Sequence, residues 1–188
     1  MAENDPDADL MLRVQRGDVA AFESIVAKYQ QPIANVVYRV LHDATEAEDL
    51  TQKVFIQVYK SAHRYKPTAR FSTWIFTIAR NVFRDQQRSA IRRPQPASLD
   101  VVGPVPIDPM QHLSRSVAEA LQHLGEVERE AFLLREVSGM SYREIAAILQ
   151  TSPDAVRNRI HRARCSLREL LSSTLGNVRP RVLKEARS

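Results

Sequence analysis

Apolar residues along this chain return at helical intervals in several separate stretches, and no stretch alternates in the manner of a half-buried strand. From Ala20 to Leu41 the residues Phe22, Ile25, Val26, Tyr29, Ile33, Val36, Val37 and Val40 keep that interval. Pro32 is expected to kink or divide the run, because proline removes a backbone donor and crowds the preceding turn. A second helix is expected from near Thr45, where Thr45-Glu46-Ala47-Glu48 has the form of a capping box, on through Leu50, Val54, Phe55 and Val58. A basic loop from His63 to Arg70 then precedes "RFSTWIFTIARNVFRDQQR", residues 70–88. There Ile75, Ile78, Ala79 and Val82 form a packing stripe. Trp74 falls off it, on the face of Thr77, Asn81, Arg84 and Arg88.

"RRPQPASLDVVGPVPIDP", from Arg92 to Pro109, breaks the helical pattern with five prolines and a glycine. It reads as an extended linker between two helical lobes. Val117, Leu121 and Leu124, then Val127, Ala131, Phe132, Leu134 and Val137, open the second lobe. Ser141 can cap a short helix holding Ile145, Ala146, Ile148 and Leu149. After Gln150-Thr151, Ser152 suits an N-cap and Pro153 a first helical position. The helix that follows would bury Val156, Ile160, Ala163, Leu167 and Leu170. The expected fold is therefore all-α, two small helical domains joined by a flexible linker. Their bounds fall at 1–91 and 113–175, with a Pro-rich linker at 92–112 and a basic, disordered tail at 176–188.

Charge changes this picture more than composition does. Residues 1–61 carry 6 basic against 10 acidic side chains, whereas 62–93 carry 8 basic against Asp85 alone. Residues 94–140 return to 3 basic against 7 acidic, and 141–188 hold 10 basic against 4 acidic. Two basic surfaces separated by acidic segments point to a polyanion held at two places. One cysteine, Cys165, leaves no internal disulfide or cysteine zinc cluster and fits a reducing, cytoplasmic setting. The acidic N-terminus lacks a signal-peptide layout, and no apolar run approaches the roughly 20 residues of a membrane span. The histidines are scattered and no glycine loop cradles phosphate, so neither metal, cofactor nor enzymatic chemistry is expected.

Short helix, tight turn and longer helix make a helix-turn-helix, in which the second helix enters the major groove. Its exposed face would carry Arg157, Asn158, His161, Arg162 and Arg164. Arginine can bond two guanine acceptors and asparagine can pair with adenine, while neighbouring arginines hold phosphates. The small Ala146 would let the two helices approach closely.

"LGEVEREAFLLREVSGMSYREIAAILQTSPDAVRNRIHRARCSLRELL" resembles region 4 of bacterial sigma factors of the extracytoplasmic-function group. "EAEDLTQKVFIQVYKSAHRY" and "RFSTWIFTIARNVFRDQQR" resemble region 2 of the same group. The resemblance runs from about Leu10 to Leu171, with both lobes in order. It implies a region 2 bundle that binds the clamp of core RNA polymerase and the minus-ten promoter element, and a region 4 helix-turn-helix on the minus-thirty-five element. It also implies an anti-sigma protein that holds the chain inactive until a stress or envelope signal. Carried over, Asp49, Leu50, Gln52, Phe55 and Val58 would lie near the polymerase clamp, although Phe55 and Val58 also suit plain core packing. Tyr65, Lys66, Arg70, Phe71, Thr73, Trp74, Arg80, Asn81, Arg84 and Arg88 would meet minus-ten DNA. Trp74, with Tyr65 or Phe71, would replace lost base stacking. Arg157, Asn158, His161, Arg162 and Arg164, with Tyr142 and Arg143, would meet the minus-thirty-five groove. Three positions depart from the pattern: Lys53 stands where an acidic residue is usual, Gln150 where a turn glycine is usual, and Gly125 where a proline is usual. A conventional helix-turn-helix regulator remains the alternative; it would bind its operator alone and would not need the Asp49–Tyr59 face.

Overall fold

A computed structural model describes residues 5–92 and 109–176, and among these residues it contains eight α-helices and no strand. Helix α1 spans Pro6–Val14, α2 Val19–Leu41, α3 Ala44–Ser61 and α4 Phe71–Arg92, with a short 3-10 turn at Ala62–Arg64. Helices α5 (Pro109–Gln122), α6 (Glu126–Glu136), α7 (Tyr142–Leu149) and α8 (Pro153–Gly176) build the second lobe. Most of the expected linker and nearly all of the basic tail lie outside the described residues. Helix α5 already begins at Pro109, inside the stretch expected to be linker.

Two local expectations need correction. Helix α2 runs unbroken through Pro32. The lost donor is offset by the packing of Ile25, Tyr29, Ile33 and Val37 on both sides of the proline, a case of tertiary contacts overriding a local breaker. Helix α3 starts one residue before Thr45, because the Asp43 carboxylate caps it by accepting from the Glu46 N–H at 2.8 Å. The helix-turn-helix, by contrast, is built as its sequence suggests. Ser141 and Glu144 form a reciprocal capping box on α7, and the Ala155 N–H donates to the Ser152 hydroxyl at the head of α8. Gln150 ends α7 in the left-handed region, at φ 52° and ψ 52°, where a side chain is strained.

Met11, Ile25, Ile33, Leu50, Val54, Phe71 and Ile75 are fully buried in the first lobe; Leu121, Leu133, Ile145, Ile148 and Ile160 fill the second. The two cores are not isolated. Helix α4 packs on α7 and α2 on α5, and the buried residues of α4 join those of α6 and α7 in one apolar cluster. The lobes therefore close on each other in this structure. Along their seam lies a small apolar cavity of about 60 Å³ between α2, α4 and α6, lined by Val37, Phe76, Ala79 and Leu133 among others.

Candidate nucleic-acid interface

The basic segment before α4 is a five-residue loop hung between two buried rings. Tyr65 and Phe71 keep 3% and none of their surface, and their ring centroids lie 5.7 Å apart edge to face. Lys66, Pro67, Thr68, Ala69 and Arg70, between them, are all exposed. Burial, reinforced by the carboxylates Asp5, Asp7 and Asp9, pushes the Tyr65 phenol up to about 12, so it stays neutral. Its hydroxyl has no hydrogen-bond partner among the described residues. In this arrangement neither Tyr65 nor Phe71 presents a stacking surface, and Thr73 is buried as well. Trp74 is half-buried and leans on both anchors, 4.9 Å from the Tyr65 ring and 5.7 Å from that of Phe71. Its position on the basic face thus has a packing reason: it closes the aromatic cluster that pins the loop ends.

The polar side chains expected on minus-ten DNA, from α4 and the loop before it, divide into two sets. Asn81 and Arg88 face solvent, Arg88 within 4.0 Å of Asp85 on its own helix. Arg80 instead turns into the seam and donates to Glu130 of α6 at 3.1 Å, with 15% and 13% of the two side chains exposed. Arg84 lies 3.9 Å from Glu126, and Arg70 lies 3.8 Å from Glu144. Glu144 also accepts the Ser72 hydroxyl at 3.4 Å. Burial raises the Glu144 carboxyl, but the bonds from Ser141 and the nearby Arg70 and Ser72 outweigh it and leave the group below its ordinary value. Three expected phosphate-binding arginines are therefore occupied by carboxylates of the second lobe. The alternating charge of successive segments carried the signal for this pairing: acidic α6 answers basic α4.

On α8, Arg157, Asn158, His161, Arg162 and Arg164 are all exposed, opposite the buried Val156, Ile160 and Ala163. Arg162 and Arg164 are held sideways by α6, at 3.0 Å from Glu128 and 2.6 Å from Glu136. Arg157 lies 3.1 Å from Asp154 and 5.9 Å over the Tyr142 ring, whose surroundings also include Arg135 at 5.2 Å. Arg143 is exposed beside them on α7. Of the five, Arg157, Asn158 and His161 lie nearest the start of α8 and are not tied to α6.

The α3 face separates the remaining expected contacts. Leu50, Phe55 and Val58 are core residues, buried between α2, α3 and α4, while Asp49 and Gln52 are exposed. Sequence reasoning passed over Ile56, Tyr59 and Val19, which keep 54%, 55% and 61% of their surface and form an apolar patch around Phe22. The off-stripe positions of Ile56 and Tyr59 in α3 were the available clue. Lys53 is exposed and reaches Gln86 of α4 at 3.4 Å.

This geometry defines a two-lobed helical DNA-binding protein, with a helix-turn-helix reader in one lobe and a braced basic loop in the other. Residues 25–93 match the profile of sigma-70 region 2, and residues 114–167 match that of sigma-70 region 4. The chain is 33% identical over 190 residues to the RNA polymerase sigma-H factor of Pseudomonas aeruginosa, covering 93% of this chain and 98% of that protein. It is 32% identical over 179 residues to the ECF RNA polymerase sigma-E factor of Escherichia coli K12, covering 87% and 93%. Among solved structures, the sigma factor RpoE in complex with the anti-sigma factor NepR from Bartonella quintana superposes with a TM-score of 0.67 at 28% identity, over 80% of this chain and 96% of that one. The chain belongs to the sigma-70 family of RNA polymerase sigma factors, in its extracytoplasmic-function group. That membership favours a sigma factor, which directs polymerase to promoters, over the conventional regulator that a helix-turn-helix alone would allow.

Proposed function

We propose that this chain directs core RNA polymerase to promoters through three separate surfaces. The exposed face of α3, with Asp49 and Gln52 beside the Ile56–Tyr59 patch, meets the polymerase clamp. Within residues 1–91, the loop 66–70 with Asn81 and Arg88 meets the minus-ten element. Within residues 113–175, Arg157, Asn158 and His161 read the minus-thirty-five groove, and Arg143, Arg162 and Arg164 hold flanking phosphates. The segment between α4 and α5 serves as the tether, so that engagement of one lobe raises the effective concentration of the other. The protein contributes binding energy to promoter opening and no bond chemistry, and it works in the cytoplasm. No described helix is long and apolar enough to cross a membrane.

The observation that carries this reading is the placement of Arg157, Asn158 and His161 on the exposed start of α8, in a chain whose other lobe displays a basic loop. The closed seam adds a condition. Arg80, enclosed with Glu130 in the seam, can reach phosphates only after the lobes part, so polymerase must hold them apart. An anti-sigma protein, of the kind bound to the RpoE relative, would keep these surfaces covered. The test is footprinting with and without core polymerase. The holoenzyme should protect two promoter elements, and Arg157→Ala should change the minus-thirty-five preference while core binding persists. An unchanged preference contradicts the reader role. A tight, specific footprint without polymerase contradicts the sigma reading.

A further inference from the structure

Helix α1 lies outside every surface assigned above, yet its two ends hold the two ends of the basic loop. At its C-terminal end the Gln15 side-chain Nε2 donates to two carbonyls at once, Ala62 at 2.7 Å and Tyr65 at 2.9 Å. Both carbonyls belong to the turn that launches the loop. At its N-terminal end Asp5 caps α1 through the Asp7 N–H at 3.2 Å, and its other carboxylate oxygen accepts the Phe71 N–H at 2.7 Å. Phe71 is the residue at which the loop ends and α4 begins. From Asp5 to Gln15 the helix spans about 15 Å, so one rigid element ties both loop boundaries.

The brace is itself anchored. Asp7, 7% exposed, accepts two bonds from the Lys28 ammonium at 2.6 and 2.7 Å and one from the Tyr29 hydroxyl at 2.7 Å. Burial and the hydrogen bond to Asp7 push the Tyr29 phenol upward, which keeps it the donor in that contact. The Tyr29 ring also packs edge to face on Phe71, 5.4 Å between centroids. Helix α2, helix α1 and the loop boundaries thus form one connected polar and aromatic frame. Within it Lys66, Pro67, Thr68, Ala69 and Arg70 stay exposed.

From this frame we infer that Gln15 and Asp5 are positioning residues for minus-ten recognition, acting through the loop without touching DNA. The inference rests on the reading that loop 66–70 meets that element. A loop that selects bases must present its side chains in one conformation before DNA arrives, and hydrogen bonds to its own backbone are what fix that conformation. Gln15 suits this better than a second apolar contact, since the Tyr65 carbonyl at the loop entry would otherwise need solvent, while the Ala62 carbonyl also accepts from the Tyr65 N–H at 3.0 Å.

The experiment is a promoter-selection assay with reconstituted holoenzyme, randomised separately at the minus-ten and minus-thirty-five elements. Gln15→Met keeps the side-chain length and removes both donors. It should weaken minus-ten base discrimination about 10-fold, as the loss of two hydrogen bonds allows. The minus-thirty-five preference and the affinity for core should remain within about twofold, the scatter expected for a site remote from both. Asp5→Asn, whose single acceptor oxygen can keep the cap while its NH2 faces the Phe71 N–H as a second donor, removes the bond to Phe71 and should act in the same direction. Lys66→Ala with Arg70→Ala serves as the reference. If the reference changes minus-ten preference and the two α1 variants do not, the brace is refuted and the loop reading stands. If none of them changes it, the loop reading falls and the inference falls with it. If both α1 variants melt early and weaken both elements and core binding together, α1 is only a structural support and the inference is overturned.

Discussion

Replacing Glu130 with glutamine should open the two lobes. The carboxylate holds Arg80 at 3.1 Å in the seam, with only 15% and 13% of the two side chains exposed. Exposed ion pairs contribute about 0–1 kcal/mol, and removing one partner of a fully buried pair costs roughly 3–5 kcal/mol. A pair at this depth falls between, at about 2 kcal/mol. In the closed form Glu130→Gln leaves the guanidinium facing a neutral amide beside an apolar cavity; in the open form the guanidinium is solvated. The closed-to-open ratio should therefore fall about 30-fold. The neighbouring contacts of Arg84 and Arg70, at 3.9 and 3.8 Å and well exposed, are screened by salt and add little. The assay is energy transfer between dyes on Glu23→Cys and Glu169→Cys in a Cys165→Ser background, both sites being exposed and in different lobes. Glu130→Gln should lower transfer and enlarge the radius of gyration, and the exchange Arg80→Glu with Glu130→Arg should restore part of both. Unchanged transfer and dimensions in a folded Glu130→Gln protein would refute the reasoning that this ion pair latches the lobes.

Gln150→Gly should stabilise the second lobe by about 0.5–1 kcal/mol, because it removes side-chain strain at φ 52°; calorimetry that shows a lower Tm would contradict this. Trp74→Ala should cost about 2–3 kcal/mol, less than a fully buried aromatic, and loosen the loop between Tyr65 and Phe71. A denaturation midpoint like that of the parent, with open-complex formation lost, would instead mark Trp74 as a direct DNA contact. Glu144 is held below its ordinary carboxyl value, so its contribution is complete above that value and disappears as pH falls through its folded-state value. The thermal stability of the second lobe, whose α7 cap Glu144 completes, should fall on acidification from pH 5 to 3, roughly the carboxylate range, and Glu144→Gln should flatten that fall.

Local devices were legible in the sequence. Ser141, and Ser152 with Pro153, announced the helix-turn-helix because caps act over three residues. The buried face of α8 followed from spacing alone. Choices that depend on a distant partner were not legible. Tyr65 and Phe71 offered rings on a basic segment, and only α1 and α2 packing against them shows that both lie in the core. Arg80 looked like its neighbour Arg84, yet one is enclosed by α6 and the other remains at the rim. Pro32 signalled a break that the flanking core residues override. Asp5 and Gln15 carried no motif, since their partners are backbone groups about 50 or more residues away in sequence.

The central claim is that this chain gives promoter specificity to RNA polymerase. Run-off transcription with bacterial core polymerase on a genomic promoter library, with and without the protein, tests it most directly. The account predicts a discrete set of transcripts that appears only with the protein and narrows or shifts with Arg157→Ala. Absence of any protein-dependent transcript with every competent core would contradict it.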